Sequence, residues 1–132
     1  MLSYFKFIAI LLAFTLIGLS LQNNQAFAQK IEANNAKEKK VLLHIAALPE
    51  VQKRSREIKR LSKGKTDITL RISADPELEI PYYQVNVNEG APTYNNYYQF
   101  AVDPKTYQVF FYDAVSNRQY SLAEWRKSKM YK

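Results

Sequence analysis

The chain has 132 residues, with 19 Lys and Arg against 12 Asp and Glu, one histidine and no cysteine. The absence of cysteine excludes a disulfide framework, a thiol nucleophile and a lipid anchor on a cysteine, and a single histidine argues against a histidine-based metal site. A net charge of +7 favours acidic partners, and outside a cell those are anionic glycopolymers, lipid headgroups and acidic proteins more than nucleic acid.

Residues 1–28 have the pattern of a secretory signal peptide. Lys6 precedes an uncharged run over residues 7–21, and Ala26 and Ala28 are small residues at the −3 and −1 positions of a cleavage site. We therefore expect export to the periplasm or the extracellular space, with cleavage after Ala28. The alternative, an uncleaved membrane anchor, is disfavoured because the run is shorter than the ~20 apolar residues that a spanning helix needs.

The predicted mature chain, residues 29–132, has about one hundred residues and a net charge near +6, which suits a single small domain. Residues 29–40 are rich in Asn and Lys and predict a flexible leader. The spacing of the apolar residues then predicts a helix over residues 37–48. A proline and a glutamate in the first turn indicate a second helix over residues 49–62, and Gly64 ends it.

The second predicted helix has a basic face. At the helical period, five cations project on the side opposite a narrow apolar stripe. These candidate anion-binding residues are Lys53, Arg56, Lys59, Arg60 and Lys63. The face is either a site for an anion or an acidic protein, or an ordinary solvated helix surface, and the sequence leaves both open.

After residue 65 the apolar period changes from about 3.6 residues to about 2, which indicates strands. Alternating residues predict one strand over residues 66–73 and another over residues 82–88. The clearest hairpin lies at residues 97–113, where residues 103–106 form a turn between two runs of aromatic and β-branched residues. The short links predict a four-stranded antiparallel meander, with the helices on one face.

The predicted hairpin has two different faces. With a four-residue loop, Phe100 lies opposite Val109 on an apolar face that the helices cover, and Tyr97 lies opposite Tyr112 on the other face. That second face has more aromatic residues than an ordinary solvent-exposed surface, and this composition predicts a protein-binding site. The candidate residues are Tyr82, Tyr97, Phe110 and Tyr112, with Gln84 and Gln99 beside them.

A short C-terminal helix is predicted from Leu122 to about Lys129, because Ser121 and Glu124 have the spacing of a capping box. We expect its Trp125, the only tryptophan, to cover part of the sheet, at an edge or across the aromatic face. The alternative is that Trp125 is an exposed binding residue and that the aromatic face is open.

The sequence has no pattern of a catalytic or cofactor site. The acidic residues are scattered singly except for Asp75, Glu77 and Glu79, and neither a phosphate-binding glycine loop nor a nucleophile elbow is present. We therefore predict a protein that is not an enzyme and that carries no metal or cofactor.

Three segments resemble small exported bacterial domains of the PepSY-like and cystatin-like kind. They read YYQVNV at residues 82–87, YQFAVDPKT leading into VFFYD at residues 98–113, and SLAEWR at residues 121–126. The resemblance implies a helix packed on an antiparallel meander and a mostly non-enzymatic role, in which some members inhibit peptidases or regulate partners. It assigns no functional residue.

These observations predict a non-enzymatic exported domain of the α+β class that binds another envelope or secreted protein, with an inhibitory or regulatory effect. The alternative is a cationic domain that binds anionic envelope polymers, such as a glycopolymer, or a membrane surface. Neither function requires nucleic acid or a stable transmembrane anchor.

Overall fold

The computed structural model describes residues 29–128, which form an α+β fold with a six-stranded mixed sheet and three helices. The strands are β1 (Lys30–Glu32), β2 (Ile68–Ala74), β3 (Tyr83–Glu89), β4 (Asn96–Val102), β5 (Val109–Asp113) and β6 (Arg118–Ser121). The helices are α1 (Ala36–Ala46), α2 (Pro49–Leu61) and α3 (Leu122–Lys127). The predicted signal peptide, residues 1–28, lies outside the described residues.

The strands follow one another across the sheet in chain order, from β1 to β6. Strands β2 to β6 pair antiparallel, whereas β1 pairs parallel with β2, and both α1 and α2 lie in the long connection that a parallel pair needs. The predicted meander is correct for β2 to β5 and incomplete at both edges. Strand β1 was not predicted because it has only three residues, and β6 was not predicted because its four residues show no aliphatic alternation.

Local signals in the sequence explain where the helices begin. The side chain of Asn35 accepts a hydrogen bond from the Glu38 amide, and the Glu38 carboxylate accepts one from the Asn34 amide at 2.6 Å, so α1 begins at Ala36. Helix α2 begins at Pro49, as predicted, because proline suits the first helical position.

The hydrophobic core lies between the three helices and one face of the sheet. Residues from α1, α2 and α3 form a single cluster with the inward side chains of β2, β3 and β4. Its fully buried members include Leu42, Ile45, Val51, Leu70, Val85, Val87, Phe100, Val102 and Trp125. We call this face of the sheet the helix-covered face and the opposite one the open face.

Helix α3 has the predicted capping box and packs its tryptophan into this core. The Ser121 hydroxyl accepts from the Glu124 amide at 3.1 Å, and the Glu124 carboxylate accepts from the Ser121 amide at 2.9 Å. Trp125 is 1% exposed and stacks on Phe111, with ring centroids 4.6 Å apart. The indole therefore covers the sheet from the helix-covered face. The prediction that Trp125 covers part of the sheet is confirmed, and α3 directly follows β6, the strand at one edge. The alternative place across the aromatic face is wrong, because α3 turns toward the apolar side.

The β4–β5 hairpin has a longer loop than predicted. Phe100 lies opposite Phe111 and Val102 opposite Val109, so the loop has the six residues 103–108. The backbone of Tyr107 has a φ of +58°, and its amide bonds to the Asp103 carbonyl at 2.9 Å, which keeps Tyr107 out of the strand. The register differs from the predicted one by two residues. A shift of two keeps each side chain on its predicted face but changes its partner.

Candidate functional site

The open face of the sheet carries polar and aromatic side chains and is covered by none of the helices in residues 29–128. Alternation along the strands brings side-chain amides from several elements onto it. The amides belong to Gln84 and Asn86 on β3, Gln99 on β4, Asn117 before β6 and Gln119 on β6. Together with Tyr112 on β5 they line a depression of about 520 Å³, which we call the amide groove. Its volume lies in the range of ligand-binding clefts, roughly 300–1,000 Å³.

Two hydrogen bonds connect side chains of the amide groove. Asn86 lies opposite Gln99, and the Gln99 amide nitrogen donates to the Asn86 side-chain oxygen at 3.3 Å. The Tyr112 hydroxyl donates to the Asn117 side-chain oxygen at 2.6 Å. Each amide has two donor hydrogens and an acceptor oxygen, so these bonds use only part of its capacity. Four groove side chains are therefore joined in pairs, and their amides can still bond a ligand.

Tyr82, which lines the amide groove, contacts a second aromatic ring on the open face. Tyr82 and Phe110 meet edge to face, with centroids 5.7 Å apart. Ala101 lies opposite Phe110 in the sheet and is fully buried although its side chain points to the open face. We attribute this burial in part to Phe110, its neighbour across the sheet. The pair of rings forms an apolar patch on the open face beside the amide groove.

A second hollow, of about 560 Å³, adjoins the amide groove at Pro81 and Tyr82, which line both. It lies between residues 76–82 and the β4–β5 loop, and we call it the loop hollow. The Glu77 amide bonds to the Ile80 carbonyl at 2.9 Å, which forms a turn with Leu78 at its tip. Leu78 is fully exposed and Ile80 is 55% exposed, so apolar side chains stand at the rim of both depressions.

Three of the four predicted aromatic site residues lie together, and one does not. Tyr82, Phe110 and Tyr112 are on the open face, as predicted. Tyr97 is the extra residue of a β-bulge, because Val87 pairs with Tyr98 while Asn88 pairs with Asn96.

The bulge turns Tyr97 to the helix-covered face. Its ring lies 4.8 Å from the Arg54 guanidinium of α2, and its hydroxyl donates to Glu89 at 2.8 Å. Burial and this bond to Glu89 raise the pKa of Tyr97. Its predicted position opposite Tyr112 is wrong, since a bulge reverses the alternation that the prediction assumed.

Four of the five predicted anion-binding residues are exposed, and the fifth forms an ion pair. Lys53, Arg56, Arg60 and Lys63 are exposed. Lys59 instead forms an ion pair with Asp67 at 3.0 Å, and Asp67 accepts a further bond from the buried Ser55 hydroxyl at 2.5 Å. Lys59 therefore fastens α2 to the start of β2.

The carboxylates with lowered pKa values lie outside the groove. Backbone amides of Thr106 and Lys105 hold the pKa of Asp103 below its ordinary value, and the Ser116 hydroxyl does so for Asp113. Glu79 is the one charged residue that lines the amide groove within the described chain. No group of three or more His, Cys, Asp or Glu in residues 29–128 could hold a metal ion. Apart from Glu79, the groove therefore offers neutral hydrogen-bonding groups and aromatic surface.

Sequence reasoning missed part of the groove. Asn86 could have been found, because it alternates with Gln84 along the same strand. Asn117 and Gln119 could not, since they reach the groove only through β6, a strand that was not predicted.

No family model, curated protein or solved structure matches this chain. The resemblance to PepSY-like and cystatin-like domains therefore stays a hypothesis. Within residues 29–128, no helix has the length and apolar character needed to cross a membrane.

Proposed function

We propose that the protein is a non-enzymatic exported domain that binds another envelope or secreted protein, with an inhibitory or regulatory effect on it. The observation that supports this most directly is the amide groove, a depression on the open face that no helix in residues 29–128 covers. Export is supported by the signal-peptide pattern of residues 1–28, with cleavage after Ala28. Protein sequencing of the secreted form should begin at Gln29.

The chemistry of the surface favours an extended polypeptide as the ligand. The groove amides match the N–H and C=O groups of a peptide backbone. Pro81 and Tyr82 line both the amide groove and the loop hollow, so the two depressions adjoin and an extended chain that crosses Tyr82 can contact both. Leu78 and Ile80 at its rim supply the apolar contact that gives a protein interface much of its affinity.

The test is a capture experiment with a matched pair of double variants. The groove variant combines Leu78→Ser with Tyr112→Ala. The control combines Leu61→Ser with Tyr94→Asn, which removes an exposed leucine and an exposed tyrosine elsewhere on the surface. Asparagine is chosen because Tyr94 has a positive φ of 51°, which asparagine tolerates.

We expect a partner that the wild type and the control capture from an envelope extract, and that the groove variant loses. Capture should persist at about 1 M salt, because apolar contacts are not screened as ion pairs are. Mass spectrometry identifies the partner, and circular dichroism checks that all variants are folded. A partner that the folded groove variant retains would refute this surface.

A further inference from the structure

Helix α2 carries a row of cations on its exposed side. Lys53, Arg56 and Arg60 are spaced by three and four residues, which places them along one side of a helix. Lys63 follows just beyond the end of the helix. All four side chains belong to exposed residues, and we call them the cation row.

The acidic residues around α2 do not neutralise this row, because other groups bind them. Arg126 binds Glu50 through two nitrogens, at 2.5 and 3.2 Å, and Arg54 binds Glu57 at 3.0 Å. Lys59 binds Asp67. In residues 29–128 no carboxylate lies within ion-pair distance of a member of the cation row. The positive charge of the row is therefore available to a ligand.

The arrangement of these cations fits a linear ligand. At a rise of ~1.5 Å per residue, Lys53 and Arg60 lie roughly 10 Å apart along the helix axis, with a cation at each turn. A compact anion needs donors that converge on one point, whereas a row matches charges repeated along a chain. Guanidinium groups also bind phosphate through two parallel hydrogen bonds.

We propose that the cation row binds a linear polyanion with repeated phosphate groups. This surface lies on α2, on the opposite side of the molecule from the amide groove, so the two sites are independent. A protein partner on the open face and a polyphosphate chain on α2 could be bound at the same time. The domain would then hold its protein partner next to an anionic polymer.

The test measures binding of purified protein to long-chain inorganic polyphosphate by calorimetry. The row variant replaces four cations by glutamine, which keeps helix propensity and removes the charge. Its substitutions are Lys53→Gln, Arg56→Gln, Arg60→Gln and Lys63→Gln. The control removes the same charge from exposed residues elsewhere. Its substitutions are Arg71→Gln, Lys105→Gln, Arg118→Gln and Lys127→Gln.

We expect the row variant to bind polyphosphate at least about tenfold more weakly than the wild type, and the control to stay within about threefold. With three to four phosphates engaged, log affinity should fall against log salt with a slope of about −2 to −3. Equal losses in the two variants would mean that net charge alone drives binding and would overturn the proposal. So would binding to phosphatidylglycerol vesicles without measurable binding to polyphosphate, which would assign the row to a membrane surface.

Discussion

The indole of Trp125 is the largest fully buried side chain in the described part of the chain. It stacks on Phe111 and meets the rings of Tyr98 and Phe100 edge on, at 5.6 and 5.7 Å. One residue near the C-terminus therefore completes the core over β4 and β5. Because a domain of this size is stable by only ~5–15 kcal/mol, such a residue contributes a large part of the total.

Replacing Trp125 by alanine should lower the free energy of unfolding by ~3–5 kcal/mol, since it removes the ring and leaves a cavity. Trp125→Phe keeps an aromatic ring against Phe111, so it should lower the free energy of unfolding by roughly half as much. Urea denaturation followed by circular dichroism measures both. A loss below ~1 kcal/mol for the alanine variant would contradict the packing described for α3.

At the scale of the elements, two turns depend on ionised aspartates. Asp103 accepts hydrogen bonds from the amides of Lys105 and Thr106, at 2.7 and 3.0 Å, in the β4–β5 loop. Asp113 accepts from the Val115 amide at 3.1 Å and from the Ser116 hydroxyl in the β5–β6 turn. These bonds favour the charged carboxylates, which is why folding lowers the pKa of both from the ordinary value of 3.8.

A carboxyl group whose pKa is lower in the folded state stabilises the fold fully above its unfolded pKa. That contribution is lost as the pH falls through 3.8 toward the folded pKa values. We therefore expect the melting temperature of the wild type to drop between about pH 5 and about pH 2.5. The double variant Asp103→Asn, Asp113→Asn should show a smaller drop.

The control for this experiment is Asp75→Asn with Glu77→Gln, which changes the charge equally in a different loop. Its melting temperature should fall with pH as that of the wild type does. If the two double variants have the same pH profile, the turn carboxylates are not the source of the effect.

One ion pair joins residues that are 76 positions apart in the chain and connects two helices. Glu50 at the start of α2 is 5% exposed, and Arg126 of α3 binds both of its oxygens. The pair connects α2 to α3 on the helix-covered face of the sheet. The molecule thus has a covered side held by packing and ion pairs and an open side built from hydrogen-bonding groups.

Arg126→Ala should destabilise the fold by ~1–3 kcal/mol, because it leaves the nearly buried Glu50 carboxylate without its charged partner. Lys127→Ala, an exposed change one residue later in the same helix, is the control and should cost less than ~0.5 kcal/mol. In a Glu50→Gln background the cost of Arg126→Ala should shrink, since a neutral amide tolerates the loss better. Equal costs in both backgrounds would show that the two residues do not interact.

Periodicity and capping signals in the sequence determined α1, α2, β2 to β5, the capping box at Ser121 and the apolar face of the hairpin. These features depend on neighbouring residues, so they can be recognised without knowing the fold. They also placed Tyr82, Phe110 and Tyr112 correctly on one surface. Cations such as Arg56 and Arg60 were assigned to an exposed helix face for the same reason.

Only the tertiary structure decided the register, the sheet edges and the side on which α3 packs. The bulge at Tyr97 and the six-residue loop after Val102 depend on hydrogen bonds between strands, and a local pattern does not contain them. Strands β1 and β6 exist because β2 and β5 offer them backbone partners. Lys59 does not belong to the cation row because it forms an ion pair with Asp67, eight residues later in the chain. The amide groove is likewise assembled from separate strands, so its members became neighbours only when the sheet formed.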